Sequence, residues 1–465
     1  MRAALLLLTL APPLSAADPP RTMRLDFYHT GSATQELFAV DKVAIEPRPW
    51  PGNLAKPIDS LNLGDYFFEV ADAGSEKVVY SRGFSSVYGE WVTTGEAKTA
   101  NRTFHESLRF PAPDKPVKVT VRKRDAANHW KDVWTTTVDP KDMFVDTSVP
   151  ESPGPLIEFE KNGPPADKVD LLILGDGYTA AERPKFEADA RKLIGRLFDT
   201  SPFKERRKAF NVWGLCPPAK ESGVSRPSTG RHVASPVGAT YDAFGSERYL
   251  LTFDNKALRR VAQFAPYEHI EILCNSRTYG GGGIFNLYGT VAADSAWAPY
   301  VFVHEFGHTF AALADEYYTS PVAYLPPAGK VVEPWQPNAT AETDAAKVKW
   351  KDLFSPRTPI PTPWPKAEYE AWQRDYQGRR VKLRKENRPE AAMEALFAED
   401  RRVTEKLLGG AKYFGKVGLF EGSNYAASGQ YRPAMDCIMF SRAPAFCPVC
   451  RRAIERIIDL YATGP

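Results

Sequence analysis

The sequence predicts a multidomain chain of mixed α+β and α/β class, an N-terminal antiparallel β-sandwich ahead of a layered α/β domain. Two contrasts predict it. Residues 22–147 carry short β-type runs separated by turn signals, whereas residues 166–461 open on a continuous apolar strand followed by a helical pattern. Between them, residues 148–165 begin with SVPESPGP, whose prolines make a semi-rigid linker. A chain of 465 residues has room for two to three domains with sizeable cores.

In the first region, DYFFEV and KVVYSRGF are β-type runs, and VKVTVRKR places Val117, Val119 and Val121 on one face. Turn stretches such as PAPDKP separate them, which implies a sandwich of roughly seven strands. His29, His105 and His129 are scattered through it and read as surface or packing residues. In the second region VDLLILGDGY is a buried-type strand, and AAERPKFEADARKLIGRLF follows with helical periodicity. FNVWGL and HIEILC are further strands, so strands and helices form layers. GDGY lacks phosphate-loop spacing and reads as a tight strand-to-helix turn. The four glycines of YGGGGIFN (279–286) admit two readings, the rim of a cleft or a flexible lip. Residues 321–410 are proline-rich and then charged, and read as an insertion with one or two solvated helices.

The first 17 residues, MRAALLLLTLAPPLSAA, have one positive charge at Arg2, a short apolar run and small residues near Ala16. They read as a secretory signal, too short to span a bilayer, so a secreted or periplasmic location is expected. No later stretch is apolar enough for a transmembrane segment. Net charge is +3, from 60 basic and 57 acidic residues, which gives no reason to expect nucleic acid as a partner. Three of the five cysteines, Cys437, Cys447 and Cys450, cluster near the C-terminus, and export makes a structural disulfide with one thiol left over the expected arrangement. CPVC has no second CxxC to complete a zinc knuckle.

The chemistry concentrates in VFVHEFGHTFAALADEYY (301–318). Residues four apart share a helix face, so His304 and His308 can hold one metal ion between neutral imidazoles. Glu305 is placed to act as general base on a metal-activated water. With seven histidines in the chain, an accidental HExxH is expected on the order of 0.01 times. A third ligand is needed. No histidine follows His308, and the upstream His232 and His269 would require an unusual order. Carboxylates remain, with Asp315 and Glu316 nearest. On a straight helix Asp315 would lie about 10 Å beyond His308 along the axis. It can ligate only if the helix stops near 311–313 and the chain turns back. Otherwise a second helix must supply a glutamate, with Glu386, Glu390, Glu394 and Glu399 as candidates.

LGDGYTAAERPKFEADA, HEFGHTFAALADEYY and EGSNYAASGQYRPAMDCIMFS together resemble the IgA-peptidase family of secreted bacterial zinc metallopeptidases. The resemblance spans nearly the whole chain after the signal, including a β-domain ahead of the peptidase. It implies a metzincin-like zinc peptidase domain acting on protein or peptide substrates, with Zn2+ as cofactor, and assigns Asp315 as third ligand with Glu316 as the fallback. Where the family carries HEFGHxFxGLADEY, this chain has Ala312 in place of the glycine, so the turn falls on an alanine. The resemblance also implies a methionine turn beneath the metal at Met439, with Met435 competing, and no tyrosine ligand two residues later, where Ser441 stands. Tyr431 and Arg432 are expected to face the cleft. The family name does not make IgA the substrate. The rival reading is an exported glycan- or protein-binding surface protein with a non-catalytic peptidase-like domain.

Overall fold

The computed structural model describes residues 19–323 and 332–463. The expected signal segment, 1–17, lies outside them, as does part of the expected insertion.

Seven strands build the N-terminal region: β1 (Arg21–Gly31), β2 (Glu36–Pro49), β3 (Tyr66–Asp72), β4 (Val78–Phe84), β5 (Arg102–Pro111), β6 (Val117–Arg124) and β7 (Trp130–Val138), with a short helix α1 (Val87–Trp91) after β4. They form two antiparallel sheets, β2-β1-β5 and β4-β3-β6-β7. Alternate residues turn inward: Met23, Leu25 and Phe27 from β1 meet Phe68, Val70, Val119 and Val121 in one core.

His29 is not a surface residue. It is buried, with its ring stacked between Tyr88 and Phe38. Its Nδ1 lies 3.1 Å from Glu106 and its Nε2 2.8 Å from Glu36. Burial opposes the imidazolium, but Glu106 and Glu36 outweigh it and hold the His29 pKa above its ordinary value. Burial likewise opposes the Glu36 carboxylate, yet His29 and Lys123 bring it down to about 2. This cluster anchors Tyr88 and with it α1.

The second region is a mixed six-stranded sheet. Its strands are β8 (Ile157–Glu160), β9 (Val169–Asp176), β10 (Phe210–Leu215), β13 (His269–Cys274), β14 (Gly281–Ile284) and β15 (Tyr288–Ala292), in the order β14-β15-β13-β9-β10-β8. The inner four run parallel, and β8 and β14 close the edges antiparallel. A two-stranded pair, β11 (Ala239–Thr240) and β12 (Leu251–Thr252), lies outside this sheet. Because β9 is buried on both sides, its run is apolar at every position but Asp170 and its last two residues. Leu171 and Ile173 enter one core, with α2 (Arg183–Phe198), α4 (Ala298–Ala311) and α7 (Pro448–Tyr461). Leu172 and Leu174 enter another, with α3 (Asn255–Ala262) and with Val87, Tyr88, Trp91 and Phe104 of the N-terminal region. The two regions therefore share a core as well as a linker. GDGY makes the expected turn, with Gly177 at φ +76° and no room for a side chain beside the Gly223 carbonyl.

Within 321–410, α5 (Lys366–Lys385) and α6 (Glu390–Gly409) pair, and they are less solvated than their charge suggests. Tyr369 and Tyr376 from α5, with Met393, Leu396, Phe397 and Leu408 from α6, join the core that contains α4. A hairpin, β16 (Val417–Ser423) with β17 (Ala426–Ala434), follows.

The His29 cluster gives a stability profile. Its raised histidine contributes fully below the unfolded value near 6.5, and that contribution is lost as pH rises through the folded value. The lowered Glu36 contributes fully above about 4.5 and is lost as pH falls through about 2. His29→Gln should lower stability by about 1–3 kcal/mol between roughly pH 4.5 and 6.5. Its cost should shrink at higher pH, as read by unfolding midpoints of both proteins across the range.

Candidate metal centre

Helix α4 carries HEFGH, and its apolar residues explain its burial: Val301, Phe302, Val303, Phe306 and Phe310 pack against α2, α7 and the sheet. Gly307 faces Met439, whose sulfur would stand 2.9 Å from any added Cβ. The glycine thus lets the Met439 segment press against the helix. The glycine run at 280–283 serves the same purpose on another side. Cβ atoms on Gly281 and Gly283 would meet Val301 and the Glu305 carbonyl at 2.6 and 2.8 Å. Three of these glycines belong to β14, so the run is a strand lying close against α4 and lining the cavity beside it, not a flexible lip.

The helix stops at Ala311. Ala312 adopts the left-handed conformation (φ +54°, ψ +32°), its N–H bonding to the carbonyls of Gly307 and His308. No residue in this stretch is a helix breaker. The stop is tertiary. Asn338 Oδ1 accepts from the Ala314 N–H (2.7 Å), and its Nδ2 donates to the Ala314 carbonyl (3.0 Å). His308 Nδ1 bonds the Leu313 carbonyl, and the Glu316 N–H bonds the Met439 carbonyl at 2.8 Å. The chain therefore doubles back over its own last turn.

That reversal brings Asp315 to the histidines. Its Oδ1 lies 3.0 Å from His304 Nε2 and 3.2 Å from His308 Nε2, and the two Nε2 atoms are 3.2 Å apart. Around a tetrahedral ion with bonds of about 2.0–2.1 Å, neighbouring ligand atoms sit ~3.3–3.4 Å apart. Each Nδ1 faces a carbonyl, Ile438 for His304 and Leu313 for His308. A carbonyl only accepts, so both Nδ1 atoms carry the hydrogen, and in the neutral rings both Nε2 lone pairs are left for a metal. Asp315 Oδ1 is buried and meets no donor besides the two imidazoles. Two imidazole nitrogens and a carboxylate oxygen converging on one point, with no other donor to that oxygen, fit a divalent cation.

Of the other carboxylates considered, Glu316 points away and joins the C-terminal cysteines. Glu390 and Glu399 pair with Arg384 and Arg379, and none of Glu386, Glu390, Glu394 and Glu399 joins the histidine cluster. Ser441 bonds Asp436 instead of the centre. Arg432 does not face the cleft. It is fully buried, stacked on Phe440 and Trp364, and donates to the carbonyls of Glu421, Gly422 and Met435. Tyr431 is likewise absent from the lining, its backbone pairing with Thr340.

The centre opens on a cavity of about 460 Å³. Glu305 lines it, and enclosure raises its carboxyl above the ordinary value, opposed by His304 and His308. Several lining residues escaped sequence reasoning. Tyr425 donates from its hydroxyl to Asp315 Oδ2. It is aimed there by a hairpin turn in which both Asn424 (φ +49°) and Tyr425 (φ +63°) are left-handed. Arg248 donates to the Tyr317 hydroxyl (3.3 Å) at the cavity wall. Paired left-handed residues are invisible without coordinates, although Asn–Tyr between two strand patterns is a weak turn signal. Asp65, Glu90 and Thr93 come from the N-terminal region, so that region forms part of the wall.

Two substitutions test the reversal. Asn338→Ala should leave the Ala314 N–H and carbonyl unpaired in a buried site, costing about 1–3 kcal/mol each and lowering bound metal per chain. Ala312→Val places a β-branched residue at positive φ, and should cost about 1–3 kcal/mol with the same loss of metal. Elemental analysis beside denaturant unfolding checks both.

Family models give the context. A model described as IgA Peptidase M64 matches residues 157–458, and one described as Peptidase M64 N-terminus matches residues 16–135. No curated protein matches the chain. With the first model covering most of the chain, and the second falling on the β-rich region before it, this protein belongs to the IgA peptidase M64 family.

Proposed function

We propose that the chain is an exported zinc-dependent endopeptidase that hydrolyses peptide bonds of protein or peptide substrates, with His304, His308 and Asp315 as metal ligands and Glu305 as general base. The observation that carries this reading is the convergence of His304 Nε2, His308 Nε2 and Asp315 Oδ1 within 3.2 Å of one another beside Glu305, in a cavity of about 460 Å³. Nitrogen and carboxylate donors at this spacing suit zinc. Bound there, zinc supplies Lewis acidity, polarising a substrate carbonyl and making water easier to deprotonate.

The chain's own groups do the rest. Glu305 takes the proton from the attacking water, and its raised pKa suits it to return that proton to the departing amine. The carbonyl partners of His304 and His308 fix both rings in one tautomer. Tyr425 holds Asp315 in orientation from the opposite oxygen. Arg248 and Tyr317, on the same wall, are donors for the charge that grows on the carbonyl oxygen. Met439 beneath Gly307 supports the metzincin-like reading of the centre. The N-terminal sequence with Arg2 and its apolar run supports export, and among the described residues no helix is long and apolar enough to cross a membrane.

Glu305→Gln should reduce cleavage of casein or immunoglobulin by at least about 10²–10⁴-fold while zinc per chain is unchanged. Full activity in that variant would sink the mechanism. Chelation should abolish cleavage and added zinc restore it. Metal retained by the wild type with no cleavage across a broad peptide library would instead support the binding-protein reading.

A further inference from the structure

The disulfide expected near the C-terminus does not form. All five cysteines are free, and Cys437 Sγ and Cys450 Sγ are 3.8 Å apart, against about 2.05 Å in a disulfide. Instead, Cys437, Cys447 and Cys450 gather around Glu316. One donor atom from each of the four lies within 4.8 Å of every other, and all four residues are buried.

Three features distinguish this cluster from thiols that happen to pack together. The first is spacing. Two sulfurs on a tetrahedral ion with bonds of about 2.3 Å stand ~3.8 Å apart, which is the Cys437–Cys450 separation. Glu316 Oε1 lies 3.3 Å from Cys450 Sγ, near the ~3.5 Å expected between an oxygen and a sulfur on such an ion. The second is polarity. The Cys447 N–H points at Cys437 Sγ (3.2 Å) and the Cys450 N–H at Cys447 Sγ (3.5 Å). The fourteen-residue helix α7 begins at this point, with Cys447 as its N-cap. Amide donors and a helix N-terminus both favour thiolates. The third is the carboxylate. Glu316 is completely buried and its Oε2 has no hydrogen-bond partner, while Oε1 receives Asn338 Nδ2 at 3.0 Å. A buried carboxylate surrounded by sulfur calls for a cation.

We propose that Glu316, Cys437, Cys447 and Cys450 form a second, structural zinc site. As the ion enters, the three thiols release their protons to solvent, three Zn–S bonds and one Zn–O bond form, and no electron is transferred. Thiolates select zinc over magnesium or calcium. Four protein donors fill a tetrahedral shell, leaving no open position for water, so the ion has a structural role.

The position of this site gives it a role at the first centre. Glu316 directly follows Asp315. Cys437 is followed by Ile438, whose carbonyl faces His304 Nδ1, and by Met439, whose carbonyl accepts the Glu316 N–H. An ion here pins both strands of chain that hold the His304–His308–Asp315 geometry. The proposal does not depend on proteolysis.

The test uses the full chain purified without chelator. The wild type should carry two zinc ions, and His304→Ala/His308→Ala should keep one, with X-ray absorption dominated by sulfur at about 2.3 Å. Cys447→Ser should lose that sulfur shell and unfold more easily. If the double histidine variant does not fold, the wild type still decides the matter, because His304, His308 and Asp315 offer no sulfur. A sulfur shell in the wild-type spectrum supports the site. Zinc coordinated by nitrogen and oxygen alone overturns it, as does alkylation of the denatured, unreduced chain that finds a disulfide.

Discussion

At Ala312 an L-residue is held left-handed at the end of a buried helix, and the geometry of the whole centre follows from that one conformation. Such a turn costs an alanine about 1 kcal/mol or more, so something must hold it. Four bonds do: the two of the Asn338 clamp on Ala314, the His308 contact to the Leu313 carbonyl, and the Glu316 bond to Met439. The His308 contact is economical in atoms. It helps end the helix and, through the same hydrogen, presents a bare Nε2 to the centre. The turn and the ligand orientation are one interaction seen from two sides.

This explains what was legible in the sequence. HEFGH is readable because a helix of period 3.6 puts residues four apart on one face, a local rule needing no partner. Strand alternation in the N-terminal region and the apolar run of β9 are equally local, and both appear as sheet. The reversal was not readable from residue propensities. Ala311, Ala312, Leu313 and Ala314 favour helix, and the groups that override them come from distant sequence. The family resemblance pointed to Asp315, but the physical cause, Asn338, lies 24 residues beyond Ala314 in a proline-rich stretch with no visible motif.

The cysteines failed for the opposite reason. CPVC was read by local spacing and by compartment, which favoured a disulfide. The donor that changes the reading, Glu316, lies 134 residues upstream of Cys450 and belongs to a segment already credited with another role. Arg432 misled in a similar way. A guanidinium beside the closing segment suggested a cleft residue, yet its planar face packs on aromatics and its N–H groups tie three carbonyls of the β16–β17 hairpin and the turn after it. The charged helices α5 and α6 hid an apolar stripe: Tyr369 and Tyr376, seven residues apart, stand among charged residues in the sequence but fall on the same buried face.

Glu90 and Thr93 sit on the cavity wall although they belong to the sandwich, and α1 is packed into the core beneath the peptidase sheet. The cavity wall is thus composite. A fragment cut to the boundaries of the peptidase model would lose Val87, Tyr88, Trp91 and Phe104 from the core they share with Leu172, Leu174 and Ile272, and the cavity would lose the wall formed by Asp65, Glu90 and Thr93. The two regions are a single unit of packing, and a mutation in the sandwich can reshape the cavity wall without touching any residue of α4.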